Sequence, residues 1–83
     1  MHRKLFFDAT IEVHGIDRKG MLHDVSEVIS HRLDTNIHQV SFTANEGIFE
    51  GRIEIRVHDR EEVRNIMKLL KDISDMQEVQ QIL

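Results

Sequence analysis

Between residues 48 and 57 the sequence alternates strictly: Phe49, Gly51, Ile53, Ile55 and Val57 hold one parity, and Glu50, Arg52, Glu54 and Arg56 hold the other. Successive side chains of an extended chain point to opposite faces, so this stretch reads as a strand with one face in a core and one in water. Such a strand belongs to an antiparallel sheet covered on a single side, because the strands of a parallel sheet are buried on both faces. A chain of 83 residues has room for one such sheet and one core. Multidomain architectures and large catalytic folds are excluded. Cys is absent, which removes disulfides, thiolate zinc sites and cysteine nucleophiles. The core must then rest on packing or on a partner chain.

The other elements fall into place around this strand. Residues 5–13 alternate as well, with Phe7, Ala9, Ile11 and Val13 on one parity, and are expected to form a first strand. The run from His14 to Gly20 reads as a loop, with Gly15 relaxing a turn and Asp17 placed to cap the helix that follows. In that helix Leu22, Val25, Val28, Ile29 and Leu33 recur at helical spacing. Residues 37–44 give a second strand with Val40, Phe42 and Ala44 on one face; Ile37 is out of phase, which predicts a bulge or a late start. Asn45-Glu46-Gly47 is a turn signal. Asp59 opens a second helix striped by Val63, Ile66, Met67, Leu70 and Ile73, and residues 76–83 form a last short strand. The order βαββαβ is the α+β, ferredoxin-like pattern: a four-stranded antiparallel sheet with both helices on one face.

The chemistry is sparse. The six His share no helical i, i+4 pair and no HExxH, so they read as surface residues and no metal site is assigned. The carboxylates Glu61, Glu62, Asp72 and Asp75 fall on solvated faces, no nucleophile stands at a recognisable spacing from a base, and no GxxxxGK[ST] loop is present. No catalytic residue and no cofactor is therefore assigned. A formal net charge of −4 argues against a free-standing nucleic-acid binder. One common RNA module shares this strand order but stacks bases on aromatics of its central strands. Here Phe49 lies on the helix-facing parity, which disfavours stacking. No apolar run reaches the length of a membrane span and no signal-peptide pattern opens the chain, so the expected location is cytoplasmic, with no membrane partner.

The loop entering the first helix is the most informative segment. Gly20 stands at the helix start, where free N–H groups and the helix dipole favour an anion and a missing Cβ permits close approach. An amino-acid carboxylate would fit there, with Asp17 taking the ammonium. The structural alternative is that Gly20 only allows tight packing and Asp17 only caps; spacing alone leaves both open.

At Gly15-Ile16-Asp17-Arg18-Lys19-Gly20-Met21-Leu22-His23-Asp24-Val25-Ser26, and again at Asn36-Ile37, the chain resembles the ACT domain family. Within it, the sequence is most similar to the C-terminal ACT domains of RelA/SpoT-type stringent-response proteins, which are GTP pyrophosphokinases and (p)ppGpp hydrolases. The resemblance implies a homodimer that holds an amino acid across a two-fold axis. Asp17, Gly20, Met21 and Leu22 would come from one subunit and Asn36 from the other. Asp17 and Lys19 stand where many amino-acid-binding members carry Asn and Pro. The resemblance further implies that residues 1–83 are a single ACT domain cut from the C-terminus of a longer protein. That domain would be regulatory and not itself an enzyme, sensing a small ligand or docking on the parent's catalytic domains. Two alternatives accompany this reading: a pure oligomerisation or intramolecular interaction module without ligand, and a ribosomal RNA contact module.

Overall fold

The computed structural model describes residues 6–31 and 36–82. Its elements are β1 (Phe7–Ile16), α1 (Met21–Ser30), β2 (Asn36–Asn45), β3 (Ile48–Val57), α2 (Arg60–Lys71) and β4 (Met76–Gln81). The strands form one antiparallel sheet in the order β2-β3-β1-β4. This is the ferredoxin-like arrangement expected from the sequence.

The parity of β3 organises the core. Phe49, Gly51, Ile53, Ile55 and Val57 are all buried, while the intervening side chains reach solvent. In register with them, β1 brings Ala9 opposite Ile55 and Ile11 opposite Ile53. Met21 and Val25 of α1, and Val63, Ile66 and Leu70 of α2, close the same cluster. Each buried aliphatic side chain of this size contributes about 1.5–3 kcal/mol of transfer free energy, so this single cluster is the main support of the fold.

Three local details differ from the sequence-based reading. First, β1 runs three residues beyond Val13, so the loop shrinks to residues 17–20. Gly15 sits inside the strand, not in a turn. A Cβ there would stand 2.8 Å from the Asp75 carbonyl oxygen and 3.1 Å from Met21 Cε, so Gly15 permits close approach. The pairing of β1 with β4 bulges at this point, between His14 and Gly15. Second, Asp17 does not cap α1. The helix begins at Met21 with Gly20 at the N-cap, in a left-handed conformation of φ 87° and with no side-chain cap. Asp17 lies too far upstream to reach the first turn, and its N–H donates to the Gly47 carbonyl at 2.9 Å. Third, β4 ends at Gln81, although the Ile82 N–H still donates to the Thr10 carbonyl at 2.8 Å. Leu5, Leu33 and Leu83, which the sequence reading placed in elements, lie outside the described residues.

Other details follow the sequence. Of the two outcomes expected at Ile37, β2 shows the bulge and not the late start: it begins at Asn36, and its register against β3 shifts between Ile37 and Gln39. Glu46 and Gly47 both take positive φ, 53° and 82°, the type I′ pattern that suits a two-residue hairpin. Asp59 caps α2 by accepting the Glu62 N–H at 3.1 Å. Glu62 in turn accepts the His58 N–H at 3.3 Å.

Candidate ligand cleft between the first helix and the edge strand

The helices divide the sheet unequally, and this creates the site. α2 lays Val63, Ile66 and Leu70 on the core, whereas only Met21 and Val25 of α1 are fully buried. The edge strand β2 is left partly uncovered on its helix side, where Val40 keeps 36% of its surface exposed. Phe42 lies across Gly51, its cross-strand partner. A Cβ at Gly51 would meet the Phe42 ring at 2.7 Å and Val13 at 2.9 Å. The ring also stacks on Phe49, with centroids 5.5 Å apart.

Phe42 and Phe49 form the floor of an open cleft of about 520 Å³, with Ala44 and Thr43 along β2. The opposite wall is the start of α1 and its loop, from Asp17, Arg18 and Gly20 to Leu22 and His23. Helix geometry leaves the Leu22 and His23 N–H groups without intrahelical acceptors, while the first turn closes through Asp24 N–H to the Gly20 carbonyl at 2.9 Å. Gly20 leaves this wall bare: a Cβ there would find nothing closer than the Arg18 guanidinium at 3.4 Å. The cleft therefore combines an apolar floor with a helix start that favours negative charge.

Arg18 borders the cleft but is already engaged. Its Nη2 donates to the Asp24 carboxylate at 2.8 Å and to the Ser74 carbonyl at 2.9 Å. Its Nε stands 3.2 Å from the Asp75 carboxylate without a formed hydrogen bond. This clasp joins the loop, α1 and the α2–β4 connection. Arg18 thus has a structural duty that competes with any role toward a ligand.

The structure brings together three of the five expected site residues, Asp17, Gly20 and Leu22. Met21 turns inward and is 1% exposed, so its side chain belongs to the core. Asn36 begins β2 opposite Arg56. That is the far end of the sheet from the loop, which lies beside the β2–β3 turn. One chain alone does not join Asn36 to the others. Phe42, Ala44, Phe49 and His23 were not expected at the site.

The opposite face of the sheet is wet and largely paired. Arg56 bonds Asp8 at 2.9 Å, Arg52 lies 3.4 Å from Glu12, and His14 stands between Glu50 at 3.4 Å and Glu78 at 3.7 Å. The Arg56 hydrogen bond holds the Asp8 carboxyl below its usual range. β3 presents Glu50, Arg52, Glu54 and Arg56 here, and Phe49 is buried on the other side, so β3 itself offers no stacking platform for bases. Among the described residues no three His, Asp or Glu side chains form a group able to hold a metal ion. No described helix is long and apolar enough to cross a membrane.

A sequence profile described as the ACT domain matches residues 3–80. The chain belongs to the ACT domain family. This ACT domain superposes on the crystal structure of the ACT domain from the GTP pyrophosphokinase of Chlorobium tepidum with a TM-score of 0.86 and 30% identity. The match covers 93% of this chain and 99% of that one. The solution structure of the same Chlorobium domain gives a TM-score of 0.85 at 29% identity, over 94% of this chain and 88% of that one. An ACT domain protein from Streptococcus pneumoniae is 24% identical with a TM-score of 0.64, over 89% and 88% of the two chains, and shares the fold. Among curated proteins none matches. ACT domains are regulatory rather than catalytic, and this one resembles the regulatory domain of a GTP pyrophosphokinase.

Proposed function

We propose that this ACT domain regulates a RelA/SpoT-type (p)ppGpp synthetase or hydrolase in the cytoplasm by sensing an amino acid in the cleft beside α1. The observation that carries the reading is the cleft itself, an apolar floor facing an uncapped helix start. The ligand's carboxylate would accept from the Leu22 and His23 N–H groups, a favourable place for an anion. Asp17 would take the ammonium, and Phe42, Ala44 and Leu22 would take an aliphatic side chain. A second copy, paired across a two-fold axis, would supply Asn36 and close the open side. The free edges of β2 and β4 provide backbone groups for such pairing. The pyrophosphoryl chemistry and the surfaces that receive the signal would lie in the parent's catalytic domains.

Titration of the domain with leucine, isoleucine and valine, followed by backbone amide shifts, tests this directly. Shifts at Leu22, His23 and residues 42–44 are expected. Leu22→Glu should abolish them without unfolding, because Leu22 is 51% exposed and an acid in the first turn suits a helix. Gly20→Val is the poorer probe, since the positive φ at Gly20 strains any β-branched residue. The exposed apolar groups Leu22 and Val40 favour a second reading, in which the same surface is a docking face without a small ligand. A mass that rises with concentration, together with no shift for any amino acid, would replace the sensing reading with that one. Salt-sensitive binding to ribosomal RNA would favour an RNA contact role instead.

A further inference from the structure

α2 carries Arg60, Arg64 and Lys68 at successive i, i+4 positions, with Lys71 three residues on, all exposed along one face. Arg60 and Arg64, on its first turns, stand at the end of the sheet away from that cleft. The chain has 15 acidic residues against 11 Lys and Arg. Arg18, Arg52 and Arg56 each have a carboxylate partner. Arg60 and Arg64 have none among the described residues, although like charges at this spacing disfavour a helix. Both line a cavity of about 370 Å³ whose other walls are Phe7 and Asp8 at the start of β1 and Gln81 at the end of β4. The Asp8 charge does not offset them, because Arg56 already answers it at 2.9 Å.

We infer that this cavity is a second ligand site, for the terminal phosphoryl group of a small molecule. Two neighbouring guanidinium forks suit the several oxygens of a phosphoryl group, whereas a carboxylate is satisfied by one fork. The volume leaves space for an organic body against Phe7. The site shares no residue with the amino-acid cleft and stands or falls independently of it.

The probes are inorganic phosphate and pyrophosphate, titrated into the domain at ionic strength matched with sodium chloride. Arginine Nε signals and the amide shifts of α2 and β4 report binding. Pyrophosphate is expected to shift Arg60, Arg64 and their neighbours. Arg60→Gln with Arg64→Gln should weaken binding about tenfold or more, with the melting temperature and any shifts at Leu22 unchanged. The site is overturned if neither anion gives shifts beyond those of matched chloride, or if the double variant binds as the parent does. It is equally overturned if Lys68→Gln with Lys71→Gln loses as much and a short single-stranded RNA binds more tightly than pyrophosphate. That outcome would make the stripe an extended phosphate-backbone contact instead of a pocket.

Discussion

The two halves of the molecule share one plan and complete it differently. In the second half, β3 feeds α2 through a side-chain cap at Asp59, three buried residues anchor the helix, and β4 pairs beside β1. In the first half, α1 starts on a left-handed glycine with no side-chain cap, anchors two buried residues, and leaves β2 partly bare. The closed half is a scaffold. The open half exposes helix N–H groups and aromatic surface to a common cleft. The less completely packed half is thus the one that leaves an open cleft.

The largest test of this contrast is at the centre of the closed half. Ile53→Asp should unfold the domain, because an unpaired buried carboxylate costs several kcal/mol, comparable with the stability of a small domain. Glu54→Ala, one residue on and facing solvent, should leave the thermal melt nearly unchanged. Equal melts for the two would break the parity on which the core rests.

Gly51 links the halves, since it makes room for Phe42. Gly51→Ala should cost about 1–3 kcal/mol through overpacking against that ring. Phe42→Ala in the same chain should recover part of the loss in a double-mutant cycle read by urea unfolding. Purely additive losses would mean that β2 is held by its backbone bonds and not by this ring.

Gly20→Ala would touch only the Arg18 guanidinium at 3.4 Å but sits at a positive φ, so it should cost about 1–2 kcal/mol from backbone strain. Gly20→Asn should cost less, because Asn tolerates that conformation. If alanine is neutral, the start of α1 is able to shift and the open half is more adaptable than described.

The caps give a sharper, smaller comparison. Asp59→Ala should lower stability by about 1 kcal/mol. Asp17→Ala should change it little and act only on ligand binding. A comparable loss at both positions would show that Asp17 supports α1 in a way its geometry does not reveal.

The smallest effect concerns the wet face. A carboxyl with a depressed folded-state pKa adds stability that is present above the ordinary aspartate value and is lost as pH falls through the depressed one. For Asp8 the cause is the Arg56 hydrogen bond. Arg56→Gln should therefore flatten the acid limb of the stability profile slightly, since both partners are exposed and screened. An unchanged limb would mean that this bond adds nothing in solution.

The alternation at residues 48–57, the helical stripe of Val63, Ile66 and Leu70, the start of α2 at Asp59 and an irregularity near Ile37 were all legible in the sequence. Each depends on a local backbone period or on a side chain reaching a neighbour a few residues away. The loop motif around Gly20 also marked one wall of the candidate site. Only the tertiary structure decided the rest. Gly15 is a strand residue because β1 pairs on past it with β3, and the Ile16 N–H reaches the Asp75 carbonyl at 2.9 Å, so close that a Cβ at Gly15 would meet that oxygen. Met21 turned into the core because α1 docks through it. Phe42 and Phe49 became the floor of a cleft because two helices share one sheet unequally. No residue specifies that division alone, and it emerges only when all six elements compete for the same apolar face.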